Sequence, residues 1–469
     1  MKIINFLIKV LSVIVIIIVC IVLIRAFDSR SLPDLKKWHT ELPMPEPLQN
    51  TEFDSFESFV HADVEYVKSN FKLVKDTTLG RFQRYNPQNQ NYPFKNYNAS
   101  FVLDPGKEKT KAIIILIHGL SDSPYHMYDL AQYFYDKDYY VFALRLPGHG
   151  TLPSGLLNVT WQQWYDAVNW SMQKASVLAK DRNNIPVHMG GFSTGGALCL
   201  YHSFMAVNNS EMLMPDKVFL FSPAAGVDPL AVVSAWHKSL SWVPYFHKFA
   251  WLDILPEYDP AKYSSFTKNA GRQIFLLCEE NKKLAKKISN NKMQAVLPAI
   301  ISFESWVDAT VNINDLIQIY NYVANDDDCL VLFDVNRKYS SFMKTNIEKN
   351  SIQSNLSIGN NFDIHIITNK VYLEDYSDLI GVYSYNNGDK EELYSADTNY
   401  WQPNTFAISH ISVPISPQNH LYGKESVLSN IQMHGEKGVL IIPSSDISRL
   451  RYNPFFDIMT SEINTFLDL

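Results

Sequence analysis

An α/β fold built on a mostly parallel, doubly wound sheet is predicted by three observations. Residues 112–117 (AIIILI) form a short, continuously apolar, β-branched run. Such a run suits a strand buried on both faces of a parallel sheet. Similar runs recur at 139–144 (YYVFAL), 187–190 and 218–221 (VFLF), with helical patterns at 126–135, 161–179 and 195–205 between them. Alternation of this kind, with right-handed crossovers, yields a doubly wound sheet. A glycine-rich turn then joins the third run to the helix after it. In such sheets ligands bind beyond the carboxyl ends of the strands, so the chemistry is expected in the loops that follow them.

The third run leads into Gly190-Gly191-Phe192-Ser193-Thr194-Gly195-Gly196. Gly191, Ser193 and Gly195 make the pattern G-x-S-x-G. Between a strand and a helix this pattern forms a strained turn that holds the serine hydroxyl at its tip. Gly191 and Gly195 are needed where a side chain would strike neighbouring backbone. Ser193 is therefore the candidate nucleophile. The backbone N–H of Thr194, at the helix amino terminus, is one candidate donor to a developing oxyanion. The second is the N–H of Leu120, in the loop His118-Gly119-Leu120-Ser121-Asp122 after the first run. His118 is expected to shape that loop rather than to act on substrate.

The 469 residues are 46% apolar and 19% charged, a globular composition that excludes a disordered, collagenous or disulfide-scaffold chain. With 41 basic against 48 acidic residues the net charge is −7, and the pI is near 6.0. No nucleic-acid partner is expected. Of the four cysteines, Cys20 falls in an apolar run, and Cys199, Cys278 and Cys329 show no metal-ligand spacing. No zinc cluster, phosphate loop or dinucleotide fingerprint is visible, so neither a metal nor an organic cofactor is expected.

Residues 1–30 carry Lys2, Lys9, Arg25 and Arg30 against Asp28, a local +3 that leaves −10 on the remainder. Residues 10–24 (VLSVIVIIIVCIVLI) carry no charge. If Lys9 snorkels, the span extends to the roughly 20 residues that cross a bilayer core. No small-x-small cleavage site follows it. An uncleaved, single-pass amino-terminal anchor is expected over 1–30, with the bulk of the chain outside the cytoplasm. Residues 31–80, with Pro33, Pro43, Pro45 and Pro47, read as a polar stalk followed by a short helix. The catalytic domain is expected over 81–469.

The order of motifs resembles the α/β-hydrolase superfamily. The chain has Ile117-His118-Gly119, then Arg145-Leu146-Pro147-Gly148-His149-Gly150-Thr151, then the Ser193 turn. The Pro-Gly-His-Gly loop resembles the monoacylglycerol lipase and bacterial carboxylesterase branch, over about residues 80–425. The resemblance implies an α/β-hydrolase sheet with a helical cap, and ester hydrolysis through an acyl-enzyme.

It also implies an acid and then a histidine after the serine. Residues 297–303 read as the next strand, and Asp308 after it resembles the triad acid, with Glu304 and Asp315 as competitors. His410, in Phe406-Ala407-Ile408-Ser409-His410-Ile411, resembles the segment carrying the base, with His420 as competitor. His365 reads as a sheet-face side chain. Asp308 and His410 stand 102 positions apart, so residues 325–400 are expected to hold extra strands or an insertion. Between about 223 and 270 the chain leaves the sheet pattern and gathers Trp236, Trp242, Phe249, Trp251, Tyr258 and Tyr263 as a cap. An apolar pocket beneath it suits a small-molecule ester or a lipid. Thioesters, small peptides, other acyl acceptors and a silent binding scaffold remain competing readings, and the oligomeric state is not read.

Overall fold

A computed structural model describes residues 9–13, 15–16, 19–20, 32–78, 83–88, 98–227, 244–308, 310–338, 362–372, 375–386, 389–401, 413–426 and 451–469. In chain order the strands are β1 (Phe101–Leu103), β2 (Ala112–Ile117), β3 (Tyr139–Leu144), β4 (Val187–Phe192), β5 (Lys217–Phe221), β6 (Trp251–Asp253), β7 (Phe266–Thr267), β8 (Ala299–Ser305), β9 (Cys329–Phe333), β10 (Asp363–Tyr372), β11 (Asp375–Asn386) and β12 (Asp389–Tyr400). β6 and β7 pair with each other. The other ten form one sheet in the order β1-β3-β2-β4-β5-β8-β9-β10-β11-β12. β3 through β10 run parallel, whereas β1, β11 and β12 add antiparallel edges. The main helices are α1 (Phe56–Leu73), α2 (Tyr128–Tyr135), α3 (Trp161–Asp181), α4 (Thr194–Ala206), α5 (Lys268–Asn290), α6 (Ile313–Val323) and α7 (Phe456–Leu467).

The apolar run of β2 is buried throughout because both faces are covered. Successive side chains leave a strand on opposite sides. Ile113, Ile115 and Ile117 belong to one core cluster with Trp164 of α3, Leu198 of α4 and Leu277 of α5. Ile114 and Leu116 belong to a second cluster with Leu130 and Phe134 of α2 and Met459 of α7. Each buried isoleucine contributes about 1.5–3 kcal/mol, an upper figure because the unfolded chain is already partly collapsed. Capping fixes where the helices begin. The Thr160 hydroxyl accepts from Gln163 N–H ahead of α3, and Thr267 does the same for Ala270 ahead of α5.

The extra segment after residue 325 is a sheet extension. β10 joins β9 in parallel, and β11 and β12 follow as antiparallel neighbours. His365 lies on β10, where its Nδ1 stands 2.5 Å from Glu462 Oε2 on α7. The expected helical cap falls partly on residues 228–243, which lie outside the described residues. Among its described residues it comprises a 3₁₀ turn (Pro244–Ala250), the β6–β7 pair and the loop between them, and α5 begins at Lys268. Trp236 and Trp242 lie outside the described residues.

Residues 31–60, expected as an extended stalk, instead pack onto the domain where described. Trp38 and His39 are buried, and the His39 ring meets Ser265 Oγ at 3.0 Å. The reason is electrostatic as well as apolar. Buried Arg145, at the end of β3, needs anions, and Asp63 of α1 (2.6 Å) and Glu46 (2.7 Å) supply them. Phe56 stacks on Phe142 of β3 at 4.2 Å. The expected anchor falls on residues 1–30, most of which lie outside the described set; 9–13, 15–16 and 19–20 are helical and exposed. Among the described residues no helix is long and apolar enough to cross a membrane.

Candidate active site

Ser193 sits between β4 and α4 with φ +53° and ψ −111°, a backbone conformation that costs a non-glycine residue about 1–3 kcal/mol. Three backbone bonds hold it there. Its N–H donates to Phe221 O at 2.9 Å, and its carbonyl accepts from Ala224 (2.9 Å) and Ala197 (3.1 Å). The two glycines are sterically required. A Cβ on Gly191 would stand 2.3 Å from the Gly195 carbonyl carbon, and one on Gly195 would stand 2.1 Å from Ile117 O. The turn thus presses α4 against the end of β2, and so brings Thr194 and the loop bearing Leu120 to the same side of the sheet. Thr194 heads α4, where the first N–H groups have no intrahelical partner.

His118 and His149 are buried scaffolding. Leu146 N–H donates to His118 Nε2 (3.1 Å), so its Nδ1–H faces Gly119 O (2.8 Å). That tautomer fastens the β2 loop to the β3 loop. His149 lies beside it, with ring centroids 5.1 Å apart. Burial pushes both imidazoles down, His149 to about 4, so both are neutral at pH 7.

Asp308 follows β8 in a turn. Its N–H donates to Ser305 O, and its Oδ1 accepts from Thr310 N (2.6 Å) and Val311 N (3.0 Å). Glu304, the competitor, is fully buried at the end of β8, with Ser305 N–H on Oε1 at 2.8 Å and no donor to Oε2. Burial pushes its carboxyl well up, and the facing Asp308 carboxyl adds to this. Burial thus favours its neutral acid form, and side-chain hydrogen bonds link this carboxyl to Asp308 and to Ser222. Sequence reasoning left this pair unrecognised. Its one trace was a glutamate ending an apolar strand. Asp315 is engaged elsewhere, with Lys282 Nζ at 2.9 Å, tying α6 to α5.

His410 lies outside the described residues, as does His434. His420 is exposed in a turn. The described chain resumes at Val413, buried in the same apolar cluster as Phe192, the residue before Ser193. It continues against α2. Ser416 N–H (2.7 Å) and Asn419 Nδ2 (2.9 Å) both donate to Asp129 Oδ2.

Cys329, His365 and Glu462 offer ligand atoms within 4.8 Å of one another at the opposite end of β9 from the Ser193 turn. The His365–Glu462 separation is that of a hydrogen bond, and Tyr394 Oη donates to the second Glu462 oxygen at 2.5 Å. His365, Glu462 and Tyr394 are thus bonded to one another.

A strained serine between a parallel strand and a helix, at the carboxyl edge of a doubly wound sheet, defines an α/β hydrolase. Residues 108–299 match the family described as serine aminopeptidase S33. That match spans 192 of the 469 residues, and the sheet order around it is that of the α/β-hydrolase fold. No curated protein matches its sequence. Among solved structures it is similar to the metagenome-derived lipolytic enzymes LipS and LipT (19% identity, 51% of this chain and 88% of that one, TM-score 0.40). It is also similar to a monoglyceride lipase from Saccharomyces cerevisiae (14%, 50% and 81%, 0.40) and to Est1E from Butyrivibrio proteoclasticus (14%, 50% and 84%, 0.34).

Proposed function

We propose that the protein is a membrane-anchored serine hydrolase that cleaves carboxylic esters through an acyl-enzyme. Ser193 attacks the carbonyl, and His410 takes its proton and returns it to the leaving alcohol. Asp308 orients the imidazole, and the N–H groups of Leu120 and Thr194 hold the oxyanion. Water then releases the acid with His410 as base. The observation that carries this reading is the strained Ser193 turn, held between β4 and α4 by three backbone bonds. Asp308 is supported by its position past β8, and His410 by Val413, three residues on, which packs in the cluster of Phe192. The anchor is supported by the uncharged run at 10–24.

The test uses the full chain in detergent, with p-nitrophenyl esters of rising acyl length as substrates. Wild type is expected to turn over, and Ser193→Ala and His410→Asn to lose at least about a thousandfold. Undiminished activity in Ser193→Ala would sink the reading. Because the matched family is described as a serine aminopeptidase, an aminoacyl p-nitroanilide is the second substrate. A fluorophosphonate that labels wild type but not Ser193→Ala excludes a silent scaffold.

A further inference from the structure

A buried carboxylate stands beside the nucleophile. A Cβ placed on Gly119 would lie 2.6 Å from Asp122 Oδ2 and 3.1 Å from Ser193 Cβ, so both side chains crowd one point. Asp122 is 2% exposed. An uncompensated negative charge beside a developing oxyanion, in a partly desolvated site, opposes that oxyanion strongly.

The compensation comes from the cap. Lys262 Nζ, from the loop between β6 and β7, bonds Asp122 Oδ1, and His126 Nε2 stands 3.6 Å from the same oxygen. Burial raises the Asp122 carboxyl, but His126 and Lys262 outweigh it and hold the group ionised. His126 is itself pushed down by burial, so at neutral pH the compensating charge is Lys262. The lysine is firmly mounted. Asp259 accepts from Lys262 N–H (3.1 Å), from Tyr422 Oη (2.6 Å) and from Arg451 (2.6 Å). The next residue, Tyr263, donates its N–H to Ser121 O at 2.8 Å, which clamps the loop bearing Leu120.

We propose that Lys262 is a positioning residue of the active site, whose ammonium neutralises Asp122 beside Ser193 so that the oxyanion forms without an opposing charge. The inference rests on Ser193 being the nucleophile. It makes the cap an electrostatic part of the catalytic centre as well as a cover.

The test compares Lys262→Met, Lys262→Arg, Asp122→Asn and the double variant Asp122→Asn/Lys262→Met in the full chain. The readouts are kcat and KM on a p-nitrophenyl ester and the thermal midpoint, with Ser193→Ala alongside. Lys262→Met is expected to lower kcat about ten- to a hundredfold with little change in KM. Lys262→Arg should stay within a few-fold of wild type, and the double variant should recover most of the lost kcat. A folded double variant as slow as Lys262→Met, or a loss carried by KM, overturns the proposal. If Lys262→Met does not fold, the double variant decides: a near-native kcat supports the proposal and a low one overturns it. Activity persisting in Ser193→Ala would instead remove the nucleophile assignment.

Discussion

Glu304 and Ser193 stand at one level of the sheet, two strands apart. Phe192 pairs with Phe221 and Phe221 with Phe303, so Ser193, Ser222 and Glu304 follow in adjacent strands as a row along the carboxyl edge. A fully buried acid thus closes the row that begins with the nucleophile, with Asp308 in the turn beyond it.

That acid sets a pH dependence. The folded-state pKa of Glu304 is raised, so its contribution to stability is full below its unfolded value and is lost as pH rises through the folded one. Wild type is expected to lose thermal stability towards alkaline pH. Glu304→Gln, which keeps a donor for Asp308 but cannot ionise, should flatten that slope. Thermal midpoints across pH 6–9 for both proteins check it, and parallel curves would contradict it.

Asp129 makes a second, separable test. Burial pushes its carboxyl up to about 6, despite the Ser416 and Asn419 donors. Its contribution is therefore present below its ordinary value of 3.8 and lost as pH rises through about 6. Asp129→Asn should remove this component of the stability change between pH 4 and 7, without lowering the thermal midpoint at pH 7.5. A large destabilisation at pH 7.5 would show that the carboxylate itself is required.

The Arg145–Asp63 pair joins α1 to the loop after β3. Asp63→Ala leaves a buried guanidinium short of one anion, an effect of about 3–5 kcal/mol. Urea unfolding measures it. A loss under about 1 kcal/mol would mean that Glu46 alone suffices.

At the nucleophile turn, Gly195→Ala would place a methyl 2.1 Å from the Ile117 carbonyl oxygen. Backbone cannot yield there as a flexible side chain would. A destabilisation of at least about 3 kcal/mol, or failure to fold, is expected in the same unfolding assay.

The sheet from β2 to β5 and the Ser193 turn were legible because their causes are local. A strand covered on both faces must be apolar throughout, and a turn without room for Cβ must hold glycine. The packing of residues 32–78 was not legible, because Glu46 and Asp63 acquire meaning only opposite Arg145, about a hundred residues on. The Glu304–Asp308 and Asp122–Lys262 pairs were hidden for the same reason: register and the cap bring them together, and no spacing announces either. The strand at 363–368 showed its alternation, but its parallel seat on β9 depends on a long-range partner.

The amino-terminal segment has a mechanical consequence. Leu32 O accepts from Lys248 Nζ at 2.9 Å, and Asp34 pairs with the same ammonium. The first described residues past position 31 are therefore already fastened to the cap. With residues 1–30 embedded as proposed, a pull on that segment would reach Lys248, and so the cap, before the rest of the domain.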